Sequence, residues 1–183
     1  KTKSGKYFVS TQCELEIDDP VFIGLEVGID LGLNHFATLS VGGKIGNPKH
    51  FKKTEGKLVK LQHRLSGKKK GSSGWEKARL KVARQHEKIA NQRANFLHKT
   101  SRKLVDEFSL IKIENLNVNG MLKNHHVAKA IADVGWHKFK QMLEYKGGWY
   151  GCVIEQVDRF FASSKICHHC NYKNGDLELK DRI

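Results

Sequence analysis

From Ile23 to Leu31 the odd positions Ile23, Leu25, Val27, Ile29 and Leu31 are all apolar, and the even positions are Gly24, Glu26, Gly28 and Asp30. A period of two predicts a β-strand with one greasy face and one bare face. Aspartate is disfavoured in strands, so Asp30 at the end of so regular a strand either bonds the following turn or carries chemistry. Gly28 and Gly32 flank it and open room for a substrate backbone. Leu110-Ile-Lys-Ile-Glu114 is a second short apolar run, ended by Asn115-Leu-Asn117. Ile111 and Ile113 share one face, and Glu114 falls on the other.

The remaining pattern fills in the elements. Lys6 to Asp18 alternates loosely and predicts a hairpin or edge strand. His35 to Val41 is a strand joined to the Asp30 strand by a tight turn, and Ile45 to Phe51 holds a third, interrupted at Asn47-Pro48. Leu58, Leu61 and Leu65 mark a short amphipathic helix, which Ser66-Gly-Lys-Lys-Lys-Gly-Ser-Ser-Gly74 breaks. That break is either a plain linker or a basic loop over a phosphate backbone. From Trp75 to about Val105 a long helix repeats Val82, Ile89 and Phe96, and also Ala83, Ala90, Leu97 and Leu104, at heptad spacing. This is one core-facing stripe. After Glu114 come a polar loop, Asn115 to His126, and one helix to about Tyr150 with Trp136, Phe139, Leu143 and Tyr150 at helical spacing. These aromatics read as core. Cys152 to Val157 is the last strand. The order is three strands, helix, strand, helix, strand. That pattern predicts an α/β fold of ribonuclease H type, a mixed sheet flanked by helices.

Charge narrows the partners. The 183-residue chain carries 33 Lys and Arg against 19 Asp and Glu, a net charge of +14. Between Lys44 and Lys103 lie 19 of those basic residues and three acids, Glu55, Glu76 and Glu87. A segment so one-sided favours a polyanionic partner, most simply nucleic acid. Lys57, Lys60, Arg64, Lys68, Lys69, Lys70, Arg79, Arg84 and Arg93 are its candidate contacts. A solvated helical face is the plainer alternative. No apolar run approaches the roughly 20 residues of a membrane span, so no membrane partner is expected. Four cysteines, two of them in Cys167-His-His-Cys170, suggest a reducing, cytoplasmic compartment and a metal site rather than disulfides. The CxxC turn places two thiolates on one metal and is half of a zinc ribbon. Cys13 and Cys152 fall in predicted strands and read as structural. Oligomeric state is not fixed by any of these features.

The long helix between the Asp30 and Glu114 strands lets them be parallel neighbours, roughly 4.8 Å apart. Ligands of α/β sheets gather at the carboxyl ends of strands. Two carboxylates there repel unless a divalent cation joins them, and hard oxygen ligands select Mg2+ or Mn2+. Two such ions can clamp the attacking and leaving oxygens of phosphodiester hydrolysis.

Assembled, these residues resemble the TnpB (OrfB) proteins of bacterial insertion sequences from about Val27 onward. Val27-Gly-Ile-Asp-Leu-Gly-Leu33 with Phe36-Ala-Thr-Leu-Ser40 is similar to the first RuvC motif of that family, and Ile113-Glu-Asn-Leu-Asn-Val118 to the second. Lys57-Leu to Arg64-Leu and Ala90-Asn-Gln-Arg93 look like its basic helical region. Asp133-Val-Gly-Trp136, Leu143-Glu-Tyr-Lys146 and Asp158-Arg-Phe-Phe-Ala-Ser-Ser-Lys165 also fit. The resemblance implies an RNA-guided, divalent-metal-dependent DNA endonuclease with a RuvC-like ribonuclease H core, related to type V CRISPR effectors. Its partners would be target DNA and, in the intact protein, a guide RNA. It implies catalytic, metal-holding roles for Asp30 and Glu114 and zinc ligation by Cys167 and Cys170.

The resemblance also implies a third catalytic Asp and a second CxxC beyond Ile183, so Asp181 is not that Asp. A truncated catalytic core is therefore expected, weak or inactive alone. Its parts would be a lead-in strand or hairpin over 1–20, a RuvC-like core over 21–160 with its basic helical segment at 52–105, and a partial zinc ribbon over 161–183. A DNA-strand transferase using the same carboxylates, and a non-catalytic nucleic-acid-binding module, are the competing readings.

Overall fold

A computed structural model describes residues 1–14, 16, 24–158, 166, 170 and 172–176. Five strands form one mixed sheet in the order β3-β2-β1-β4-β5. They are β1 Glu26–Leu31, β2 His35–Leu39, β3 Lys44–Gly46, β4 Leu110–Glu114 and β5 Val153–Val157. β1, β2 and β3 form an antiparallel meander. β4 pairs parallel to β1, and β5 parallel to β4. The long helices are α1 His50–Ser66, α2 Ser73–Glu107, α4 His125–Val134 and α5 Trp136–Tyr150, and α3 is a single turn at Val118–Met121.

Strand alternation sets the two faces of the sheet. Val27, Ile29, Leu31, Ile111 and Ile113 are buried and pack with Leu97 and Leu104 of α2 and Phe139 and Leu143 of α5. Glu26, Asp30 and Lys112, on the other face, are exposed. A β-bulge makes Phe36 the extra residue of β2 between His35 and Ala37. The bulge lets neighbouring residues turn the same way, and both Phe36 and Ala37 are fully buried. Phe36 meets Phe96 and Phe139 edge-on, at 4.9 and 4.8 Å between ring centres.

Several expectations shift. The third strand stops at Gly46, because Asn47-Pro48 removes a ladder donor, and α1 begins at His50 after Lys49 in the left-handed region (φ 50°). The basic break is an ordered turn between two packed helices, with backbone bonds Gly67 to His63, Lys68 to Leu65 and Ser72 to Lys69. Ser72 caps α2 by accepting from Trp75 N–H. The expected polar loop holds α3, which the Asn117 side chain caps, and Asn124 caps α4. The expected single helix to Tyr150 is two. Gly135, with φ +75°, ends α4 and starts α5, and the Arg93 side chain lies 3.3 Å from where a Cβ would stand.

Arg93 also donates to Asp133 Oδ1 at 2.9 Å, and Asp133 Oδ2 accepts from Phe51 N–H at 2.9 Å. One half-buried carboxylate thus ties the start of α1, the middle of α2 and the α4–α5 elbow. His50 sits beside this knot, and burial pushes its imidazole below its ordinary value despite the attraction of Asp133.

The N-terminal expectation fails where it can be seen. Residues 6–14 form no strand, and Tyr7, Phe8 and Val9 are strongly exposed. Ser4 is buried and Lys6 pairs with Glu87 of α2 at 3.3 Å. These contacts place the segment beside a helix, where no strand edge offers ladder partners. Cys13 is exposed outside any strand. Cys152 is buried just before β5, and burial pushes its thiol up to about 11. The expected strand start at Ile23, Asp18 and most of 161–183 lie outside the described residues.

Two adjacent glycines of α5 test the packing of helix on sheet. A Cβ on Gly147 would overlap Cys152 O, whereas one on Gly148 meets nothing. Gly147→Ala should destabilise by at least ~2 kcal/mol through overpacking. Gly148→Ala should stabilise by roughly 0.5–1 kcal/mol through helix propensity. Urea denaturation midpoints of the two variants check both signs.

Candidate active site

The register of the central strands decides where the two acids go. Ile29 of β1 lies opposite Ile113 of β4, so the next pair along the parallel ladder is Asp30 and Glu114, on the same face. Leu31 N–H donates to Glu114 Oε1 at 2.8 Å, which locks the Glu114 carboxylate against the end of β1. Asp30 stands within hydrogen-bonding reach of it. Both acids line an open cleft of about 520 Å3 at the carboxyl ends of β1, β4 and β5.

Their environments differ. Asp30 is exposed, and Glu114 is half-buried. Burial pushes the Glu114 carboxyl above its ordinary value, and the Asp30 charge adds to that, while the Leu31 N–H opposes both. The charged pair is therefore held together against its own repulsion by strand pairing. Among the described residues, no group of three or more His, Cys, Asp or Glu stands close enough to cage a metal. The donor set fits a hard cation as two adjacent carboxylate ligands with open positions for other oxygens.

The cleft also has lining that the sequence reading did not select. Thr38 of β2, Ser40 just beyond it, Lys112 of β4, Asn115 and Asn117 beyond β4, and Asp158 beyond β5 all line it. The strand period was their signal. Lys112 lies two residues before Glu114, and Thr38 is registered with Asp30. The two glycines separate in role. A Cβ at Gly32 would stand 3.0 Å from His35 O, so Gly32 serves the β1–β2 turn. Gly28 lines the cleft, where a Cβ would make only an ordinary contact with Ser40.

The basic candidates divide likewise. Lys57, Lys60 and Arg64 are exposed on α1, Lys68, Lys69 and Lys70 on the turn, and Arg84 on α2. Arg79 bonds Glu76 at 2.9 Å. Arg93 is the exception among the nine, since its guanidinium is turned inward onto Asp133 and keeps a buried Nε without a partner. It reads as a structural residue. Cys170 is exposed with a free thiol, flanked by an isolated antiparallel bridge between Ile166 and Lys173. Cys167, His168 and His169 lie outside the described residues.

Fold and site define an α/β protein with a paired-carboxylate cleft at the carboxyl ends of its parallel strands and a basic arm of two packed helices. Comparison with known proteins gives the family. Residues 10–125 match the OrfB_IS605 family, described as "Probable transposase", and residues 136–183 match the family described as "Cas12f1-like, TNB domain". The chain belongs to the OrfB (TnpB) family. A "Putative RNA-guided DNA endonuclease" of Streptomyces pristinaespiralis is 44% identical over the whole chain, which spans 45% of that relative. The "Putative RNA-guided DNA endonuclease InsQ" of Escherichia coli K12 is 33% identical over 92% of the chain and 46% of the relative. The chain thus spans about half the length of the curated relatives it matches. The structure titled "Cryo-EM structure of the Cas12f1-sgRNA-target DNA complex" shares the fold, with a TM-score of 0.52 and 17% identity over 87% of this chain and 41% of that one. No described helix is long and apolar enough to cross a membrane.

The electrostatics of the pair give a signed expectation. A carboxyl raised in the folded state binds protons more tightly there than in the unfolded chain, so stability falls as pH rises from the ordinary Glu range through the raised value. Glu114→Gln keeps an acceptor for Leu31 N–H and removes the charge. It should therefore raise Tm above that window and leave it unchanged well below it. Thermal melts of both proteins across a pH series check this, and equal melting at neutral pH would refute the repulsion.

Proposed function

We propose that the chain is the catalytic core of a divalent-metal-dependent DNA endonuclease, guided by RNA when the protein acts. The observation that carries this is the meeting of Asp30 and Glu114 at the carboxyl ends of adjacent parallel strands. The sheet order, with an antiparallel meander followed by two parallel strands, favours a ribonuclease H-like core of the RuvC type. The printed names of the relatives favour RNA-guided DNA cleavage over strand transfer by the same carboxylates.

Asp30 and Glu114 would hold Mg2+ or Mn2+, which supplies Lewis-acid activation of water and of a phosphodiester oxygen. The chain's own residues do the positioning. Leu31 N–H fixes one Glu114 oxygen, and Glu114 lines the cleft. Asp30, exposed on the adjacent strand, presents its carboxylate to the same space. Gly28 leaves the floor of the cleft low enough for a sugar–phosphate backbone. The basic residues of α1 and α2 offset the repulsion that an anionic strand meets near two carboxylates. At the C-terminus we assign Cys167 and Cys170 as two thiolate ligands of a structural Zn2+.

Cleavage of target DNA by this protein, supplied with guide RNA and Mg2+, is the test. Asp30→Asn should lower the rate by roughly 10²–10³, the scale of losing one preorganised charge-stabilising group, while Tm does not fall. Product ends with 5′-phosphates and no joined strands separate hydrolysis from transfer. Full cleavage by Asp30→Asn overturns the assignment, and binding without any cleavage by the unsubstituted protein favours a non-catalytic module.

A further inference from the structure

The helical arm carries a second cleft, away from the carboxylates. α1 and α2 pack side by side, and at their joined end Arg64 and Lys68 face Lys77 and Lys81 across an opening of about 620 Å3. Gly67 and Gly74 also line it. Four cations from two helices and the turn between them line one space, and no carboxylate lines it.

Several helix cations outside the cleft are matched by acids. Arg79 bonds Glu76, Arg93 bonds Asp133, Arg102 bonds Asp106 and Lys103 lies near Glu107. Among the described residues, no ion pair engages the four cations of the cleft. Like charges gathered without counter-charges repel one another, and a polyanion relieves that repulsion. The amino end of α2, a 35-residue helix, lies at the same place and adds the positive end of its dipole.

Topology places this cleft on the part of the helical arm that extends beyond the sheet. α2 passes through the turn at Phe108-Ser109 into β4 and so runs antiparallel to it. Its first half therefore projects past the carboxyl end of β4, from the apolar face of the sheet. Arg93 marks the level of the elbow at Gly135. From there Lys81 and Lys77 lie roughly 18–24 Å farther along the helix, at about 1.5 Å per residue.

We infer that the Arg64–Lys68–Lys77–Lys81 cleft is a nucleic-acid backbone site, which grips phosphates of the strand or duplex leading to the carboxylate cleft. The inference rests on the nuclease reading only for what the grip serves. The site itself follows from its charge and shape. Lys77 and Lys81 are its defining residues, since they turn a basic turn into a two-sided cleft.

A charge-matched pair of variants tests the cleft against bulk charge. Lys77→Ala/Lys81→Ala removes two cations from the cleft, and Lys69→Ala/Lys70→Ala removes two from the exposed turn outside its lining. Each is titrated with fluorescein-labelled single-stranded DNA, duplex DNA and RNA of equal length over a series of salt concentrations. The cleft variant should bind at least one probe about tenfold more weakly, with a salt slope shallower by about 1.8, and the turn variant should change much less. The probe most affected identifies the natural strand. Equal losses in the two variants, or no loss in the cleft variant while circular dichroism and Tm hold, overturn the site. An intact protein, supplied with guide RNA and Mg2+, that binds through the cleft and never cuts refutes the nuclease reading alone. One that cuts while Lys77→Ala/Lys81→Ala binds normally refutes the cleft alone.

Discussion

The parallel pairing of β1 with β4 is the constraint on which the rest of this structure depends. Its register, from Glu26 opposite Leu110 to Ile29 opposite Ile113, does two things at once. It aligns Val27, Ile29, Ile111 and Ile113 as one apolar surface for α2 and α5. It also brings Asp30 beside Glu114 on the reverse face. A slip of one residue would exchange the faces of β4. Ile111 and Ile113 would be turned to water and Glu114 into the core. Core and site are thus two consequences of one ladder, and neither can drift without the other.

Repulsion between the carboxylates is the local cost of that arrangement. Strand pairing and the Leu31 N–H hold Glu114 in place although burial and Asp30 favour its protonated form. Sites held against their own electrostatics in this way are typical of places where a protein keeps groups ready for chemistry. The elbow at Gly135 makes a parallel case in packing. A single glycine with positive φ ends one helix and begins the next, and the space its missing Cβ leaves is taken up by Arg93. Asp133 then orders Arg93 and the start of α1 together.

Much of this was legible from the chain. β4 occupies the expected Leu110–Glu114, and α2 extends only two residues beyond the expected helix at each end, because both have clean periodicity and clear stops. The two acids stood out because strand-end carboxylates on the bare face conflict with strand propensity. Other features depend on contacts that no local pattern encodes. Nothing in Asp133-Val-Gly says that Asp133 will meet Arg93, whose charge alone made it look like a nucleic-acid contact. Alternation over Lys6–Asp18 suggested a strand, but alternation cannot supply a partner edge, and Tyr7 and Val9 are left in solvent. Lys77 and Lys81 were indistinguishable from other helix lysines until α1 packed opposite them.

The bond from Leu31 to Glu114 joins residues 83 positions apart in the chain, and this separation sets an order of assembly. The β1–β2–β3 meander and the α1–α2 pair involve near neighbours and can form while the chain is still being made. β4 is synthesised only after all 35 residues of α2. Closing so long a loop is slow relative to local contacts. Until it closes, one edge of β1 has no strand beside it, and such edges recruit other chains. Glu26 and Asp30 stand along that strand as charged residues unfavourable to association. Asp30, which lines the cleft once β4 is in place, is thus also a charge on an open strand before β4 arrives.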